Sequence, residues 1–180
     1  ADITRFHTIY WPEFLTAQGL RTPDTVFVHG LLMTKDGKMS KSKGNVVYPE
    51  KLISRYGLDA TRYFLLREMQ TSQDGLYTPE SFIERYNSDL CNDLGNLVNR
   101  TVSMVNKYFD GKVTNKNVVD AQLDDKFINS IKELDEKVSA KMEALQVADA
   151  MTEIFNVLRL SNKYIDETTP WVLAKDETQL

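Results

Sequence analysis

Thr78-Pro79-Glu80-Ser81-Phe82-Ile83-Glu84-Arg85-Tyr86-Asn87-Ser88-Asp89-Leu90 opens the longest periodic stretch of this 180-residue chain. Thr78 suits an N-cap, because its hydroxyl can accept a hydrogen bond from a first-turn N–H. Pro79 suits the first helical position, where its missing N–H costs nothing. Tyr77 and Phe82 stand where a hydrophobic staple fixes the entry of a helix. From Phe82 the apolar residues Tyr86, Leu90, Leu94, Leu97, Val98, Val102, Val105 and Phe109 step by three and four, which is one helix face, and Asp110-Gly111 ends it. A second series runs Phe127, Ile131, Leu134, Val138, Met142, Leu145. A third runs Met151, Phe155, Leu158, Asn162, Ile165 and stops before Pro170. Three long amphipathic helices with short connections predict an antiparallel bundle and a mainly α fold.

Toward the N-terminus the signals are more mixed. Residues 4–18 read as a helix stopped by Gly19, with a kink or break at Pro12. Thr25-Val26-Phe27-Val28-His29 has the β-branched and aromatic composition of a short strand. Asp36-Gly37 marks a turn, and Lys38 to Asn45 should be an exposed polar loop. Pro49 begins helices over 49–56 and 58–69, broken at Gly57. Residues 71–78 read as a polar linker. Trp11 is expected in the core, His29 in a structural role, and Cys91 as a small apolar helix residue.

Hydrophobic residues make up 42% of the chain and charged residues 27%, ordinary for a folded soluble domain and too apolar for a disordered one. No apolar run approaches the ~20 residues of a membrane span, and the first residues lack the apolar core of a signal peptide. A single cysteine excludes an internal disulfide and any cysteine-built zinc site, and fits a reducing cytoplasm. Two histidines leave little for a metal centre. Residues 1–70 carry 10 Lys+Arg against 7 Asp+Glu, whereas residues 71–180 carry 12 against 19. A continuous basic coat for nucleic acid is therefore absent, and any RNA contact must use local groups.

The sharpest chemistry lies in Lys35, Lys38, Lys41 and Lys43, which fall within nine residues beside two serines and two glycines. Such a loop offers mobile ammonium groups and backbone N–H donors to a polyanion, and lysine suits a moving phosphate as a point charge on a flexible stem. A solvated charged turn has the same composition. A Walker P-loop is excluded, because Gly-x-x-x-x-Gly-Lys-Ser/Thr does not occur.

Lys38-Met39-Ser40-Lys41-Ser42 resembles the second signature of class I aminoacyl-tRNA synthetases. The surrounding segments sharpen the resemblance to the methionyl-tRNA synthetases. Residues 2–12, Asp2 to Pro12, resemble that family's last catalytic-domain helix. Tyr56-Gly57-Leu58-Asp59-Ala60-Thr61-Arg62-Tyr63-Phe64-Leu65-Leu66-Arg67-Glu68 is similar to the segment after its signature loop. Asn92-Asp93-Leu94-Gly95-Asn96-Leu97-Val98-Asn99-Arg100 and Pro170-Trp171-Val172-Leu173-Ala174-Lys175 resemble its anticodon-domain motifs. The first signature, of His-Ile-Gly-His type, is missing, so the resemblance implies the C-terminal part of a longer enzyme, inactive alone.

That resemblance implies a fold of three parts: the C-terminal end of a Rossmann-type nucleotide fold over 1–34, a signature-loop and stem-contact region over 35–75, and a helical anticodon-binding bundle over 76–180. It implies a methionine–tRNA ligase. The methionine carboxylate attacks the α-phosphate of ATP with Mg2+, and the 3′-terminal adenosine of tRNA then takes the methionyl group. Lys41, assisted by Lys38, would stabilise the departing pyrophosphate. Met39, Ser40, Ser42 and Gly44 would complete the ATP loop, which must close and reopen. His7 and Asp2 map to the methionine pocket, although a helix histidine is also commonly bonded to a backbone carbonyl. Asn96, Arg100 and Trp171 map to the anticodon readers of tRNA(Met), including initiator tRNA, with Asn92 a weaker candidate. Without the resemblance they would read as a helix-surface pair and a buried tryptophan. Asn96 and Arg100 face no carboxylate at i±4 on their own helix, which leaves them open to RNA. No DNA, membrane or protein-held metal is implied. The competing reading is a non-catalytic helical RNA- or protein-binding module, or a nucleotide-binding regulatory protein, carrying the lysine loop by chance.

Overall fold

A computed structural model describes residues 3–70, 73–113 and 124–175. Pro12 leaves its mark where expected. The helix begins as a wide π-helical turn, Phe6–Tyr10, and becomes regular as α1, Trp11–Ala17, with the proline in its first turn. Gly19 ends it with a φ of +68°. Residues 25–29 pair with no strand among the described residues, so their β composition is not realised there. Trp11 is 45% exposed rather than in the core. The strands lie further on. β1 (Leu32–Thr34) and β2 (Gly37–Lys38) form the hairpin that Asp36-Gly37 announces, with Gly37 at a φ of +90°.

The supposed linker supplies the third strand. β3 (Gly75–Leu76) runs parallel to β1, with Leu32 opposite Gly75 and Met33 opposite Leu76, so the sheet order is β2-β1-β3. The reason is a close approach. A Cβ on Gly30 would lie 2.0 Å from the Gln73 carbonyl oxygen, so only glycine lets these backbones meet. Asp74 Oδ1 then accepts the Leu31 N–H at 2.7 Å.

Pro49 and Gly57 punctuate α2 (Pro49–Tyr56) and α3 (Leu58–Glu68) as read, with Gly57 at a φ of +86°. Thr78 accepts the Ser81 N–H at 2.9 Å, and Ser81 Oγ accepts the Thr78 N–H at 3.1 Å, a reciprocal cap on α4 (Pro79–Arg85). Phe82 is driven into the main apolar cluster, stacked on Tyr56 (4.0 Å) and Phe64 (4.8 Å), with Tyr77 edge-on to Phe64.

The rod then continues without a break through a π-helical stretch, Tyr86–Gly95, into α5 (Asn96–Phe109), until Asp110 and Gly111 turn the chain with positive φ. Widening to i→i+5 bonding changes the angle each residue advances. The single apolar face read at constant helical period therefore drifts: Phe82 is buried and Leu90 half-buried, but Val98 and Val102 are more than half exposed. The second series divides as well, into α6 (Asp124–Lys132) and α7 (Leu134–Glu143), which leaves Ile131 and Met142 exposed. The third is the long α8 (Val147–Thr168), followed by the single turn α9 (Pro170–Leu173). Phe127 of α6 stacks on Tyr164 of α8 at 4.7 Å. Helices thus dominate the molecule.

Candidate functional site

The lysine loop is an ordered structure. Lys41–Lys43 form one turn of 3-10 helix, entered from an extended Ser40 and closed by Gly44 at a φ of +69°. Lys43 and Gly44 donate their N–H groups to the carbonyls of Ser40 and Lys41, both at 3.2 Å, and the Ser40 and Ser42 hydroxyls meet at 2.9 Å. Asn45, which no sequence signal singled out, bonds both to the start of this loop and to β1. Met39 is half-buried, while Lys41 and Lys43 are exposed and enter no ion pair among the described residues. Lys35 does pair, at 3.2 Å with Glu80 of α4. The turn presents exposed ammonium groups from an ordered backbone, an arrangement suited to a polyanion. Among the described residues no three carboxylate, histidine or cysteine groups gather to hold a metal ion.

His7 lies in the π-helical turn, with Nδ1 2.9 Å from the Ile3 carbonyl, the contact expected of an ordinary helix histidine. Its ring also meets Trp11 edge-on at 6.4 Å and lines an apolar hollow of about 480 Å³ with Ile3, Trp11, Val26, Val28 and Leu31. Asp2 lies outside the described residues. His29 Nδ1 stands 2.7 Å from the Gly30 carbonyl, in keeping with a structural role.

At the far end of the rod, Thr169 takes a φ of +43° and swings Pro170 and Trp171 back toward α5. Trp171 is 41% exposed, so the buried-cap reading is corrected. The Arg100 guanidinium sits 5.9 Å from the centre of its indole, and Ser103, Met104 and Tyr108 join them around a hollow of about 350 Å³. Asn96 is exposed one turn earlier on α5 and does not line that hollow. Arg100 is also not as open as its helix suggested, because Asp166 of α8 meets it at 2.5 Å. The partner comes from 66 residues away, which an i±4 search cannot see.

Where α3, the π-helical stretch and α8 meet lies a polar centre that the sequence left unnoticed. Asp89 is 3% exposed. It accepts hydrogen bonds from Tyr63 (2.6 Å) and Ser88 (3.0 Å), with Arg67 and Arg85 at 3.5 and 3.6 Å. Burial works to raise its pKa, but those hydrogen bonds and the two arginine charges outweigh it and hold the carboxyl below the ordinary range. Burial, followed by the bond to Asp89, pushes the Tyr63 phenol well above its ordinary value.

The family model for class I tRNA synthetases (M) matches residues 1–102. The chain belongs to that family. Methionine–tRNA ligase of Oceanobacillus iheyensis is 56% identical over 180 residues, covering 98% of this chain and 26% of the relative. The corresponding ligase of Halalkalibacterium halodurans is 54% identical over 178 residues, covering 99% of this chain and 27% of its own. In the crystal structure of Mycobacterium tuberculosis methionyl-tRNA synthetase bound by methionyl-adenylate, 34% of the chain superposes on 98% of this one, with a TM-score of 0.91 and 43% identity. This class I synthetase chain therefore spans about a quarter of the curated relatives it matches.

Proposed function

We propose that these 180 residues are the part of a methionine–tRNA ligase that carries the ATP-acting lysine loop and the helical face that reads the anticodon of tRNA(Met), initiator tRNA included. The observation that carries the proposal is the Lys41–Lys43 turn: an ordered backbone presenting two exposed ammonium groups with no ion pair among the described residues. The family and the Mycobacterium relative bound by methionyl-adenylate support the same chemistry. In it the methionine carboxylate attacks the α-phosphorus of ATP, the bond to the bridging oxygen breaks, and pyrophosphate leaves. Lys41 Nζ, helped by Lys38, offsets the charge that grows on the leaving group. The tRNA 3′-adenosine then displaces AMP. His7 borders the methionine side chain, with Asp2 close by. Asn96 and Arg100 read base edges, and Trp171 stacks on an unpaired base. The 180 residues contain no His-Ile-Gly-His signature, so activity belongs to the longer, cytoplasmic ligase and not to this piece alone.

The test is Lys41→Ala in the full-length ligase. Methionine-dependent ATP–pyrophosphate exchange should slow by at least ~10²-fold, about 2.7 kcal/mol at the transition state. The KM for methionine should stay put, because the loop acts on phosphate. An unchanged exchange rate would overturn the assignment.

A further inference from the structure

The lysine loop is tied at its root by one side-chain amide. Asn45 Oδ1 accepts the Ser40 N–H at 2.8 Å, and Asn45 Nδ2 donates to the Lys38 carbonyl (3.3 Å) and to Thr34 Oγ1 (3.2 Å). Thr34 in turn donates that hydroxyl's proton to the Gly37 carbonyl at 3.1 Å. One amide group thus joins the hairpin, the residue before the turn and the residue after it. Ser40 has extended backbone (φ −145°, ψ 131°), so its N–H lies outside the 3-10 turn and needs a partner from elsewhere. The chain returns to that N–H because Gly44 takes a φ of +69°, which reverses its direction one residue before Asn45.

We propose that Asn45 is a positioning residue for this reaction: its amide clasps Ser40 to the β1–β2 hairpin and so fixes where Lys41 presents its ammonium group. The inference rests on the reading of the loop as ATP-acting. Only asparagine or glutamine offers an acceptor and two donors on one planar group, and glutamine's longer arm would push the loop outward. Alanine removes all three bonds. Aspartate keeps the acceptor for the Ser40 N–H but loses both donors, and places negative charge against the Lys38 carbonyl.

The experiment uses the full-length ligase with Asn45→Ala, Asn45→Asp and, as reference, Lys41→Ala. Asn45→Ala should accelerate hydrogen exchange at the Ser40 amide, and speed tryptic cleavage after Lys41 and Lys43 by about 10-fold, as expected when a turn loses its tether. Its kcat for ATP–pyrophosphate exchange should fall about 10–100-fold, because small misplacement of a charge-stabilising group is costly. The KM for methionine should not change. Asn45→Asp, which keeps the acceptor for the Ser40 N–H, should retain more Ser40 protection than Asn45→Ala while its kcat stays below wild type, a split that a general loss of stability would not produce. Unchanged Ser40 protection in Asn45→Ala overturns the clasp. A loosened loop with wild-type kcat, while Lys41→Ala is crippled, overturns the positioning role and leaves the ATP loop standing. A loosened loop with wild-type kcat in Asn45→Ala and Lys41→Ala alike overturns the ATP reading itself, and the positioning role with it.

Discussion

Asp89 carries a negative charge into a place almost closed to water, and its surroundings decide whether that charge is an asset. Tyr63, Ser88, Arg67 and Arg85 come from both sides of the junction between α3 and the long rod. Arg67 also donates to the Ala148 carbonyl (3.1 Å) and to Thr152 Oγ1 (2.6 Å), so the same cluster ties in α8. Removing the carboxylate would leave Arg67, only 14% exposed, with no carboxylate beside it, although Arg85 keeps Glu68 at 3.3 Å, and should cost about 3 kcal/mol in Asp89→Ala. The carboxyl's pKa is lower folded than unfolded, so its contribution is complete above the ordinary carboxylate pKa of about 4. It is lost as pH falls through the folded value. Urea melts at pH 7, 4 and 3 should show the wild type losing stability faster than Asp89→Asn, whose side chain has no such proton to take up.

At the scale of elements, the sheet that seats the lysine hairpin depends on a contact no wider than a glycine. β3 reaches β1 only because Gly30 lets the Gln73 carbonyl approach, after which the Gly75 N–H bonds to Leu31 and the Tyr77 N–H to Met33, both at 2.8 Å. In Gly30→Ala the new methyl must push β3 away, at about 1–3 kcal/mol or more for overpacking. Hydrogen exchange at the Gly75 and Tyr77 amides should rise well before the Thr78 cap is lost. Protection equal to wild type would show that the strands can separate and re-pair elsewhere. Several helix boundaries behave differently, since local residues set them. Thr78, Gly57 and the Asp110-Gly111 pair act where they stand in the chain.

Across the whole molecule charge is unevenly shared: residues 71–180 are acidic, with 19 Asp+Glu against 12 Lys+Arg. Nonspecific RNA attraction is therefore weak over these residues, and the proposed anticodon binding would have to come from stacking and base-edge contacts. Trp171→Ala should weaken binding of a CAU anticodon stem-loop by ~1–3 kcal/mol. Its melting temperature should change little, because the indole is 41% exposed and not a core side chain. Arg100→Ala should weaken the CAU stem-loop more than one with a changed anticodon, since a base-edge contact discriminates and a phosphate contact does not. The net loss should be modest, because Arg100 would have to give up Asp166 to reach a base. Equal weakening of both RNAs would assign Arg100 to phosphate. Titrations of the three proteins with both stem-loops, with thermal melts alongside, decide the matter.

Lys41–Lys43, read only as part of an exposed loop, is an ordered 3-10 turn held at its root by Asn45. Local residues alone set the helix boundaries at Pro49, Gly57, Thr78-Pro79 and Asp110-Gly111 and the turn at Asp36-Gly37. Each of these is settled by caps, φ preferences and hydrogen bonds that close within a few residues. The tertiary structure alone decided what depends on distant partners. Leu31 finds Asp74 across 43 residues, Arg100 finds Asp166 across 66, and Arg67 finds Thr152 across 85. No periodicity reports such pairings. That is why Gly75-Leu76, within a stretch read as a polar linker, proved to be a strand, and why an arginine read as open to RNA already holds a carboxylate. A backbone N–H or a charge that its neighbours leave unsatisfied must be satisfied by whatever the fold brings to it, and only the folded chain contains that information.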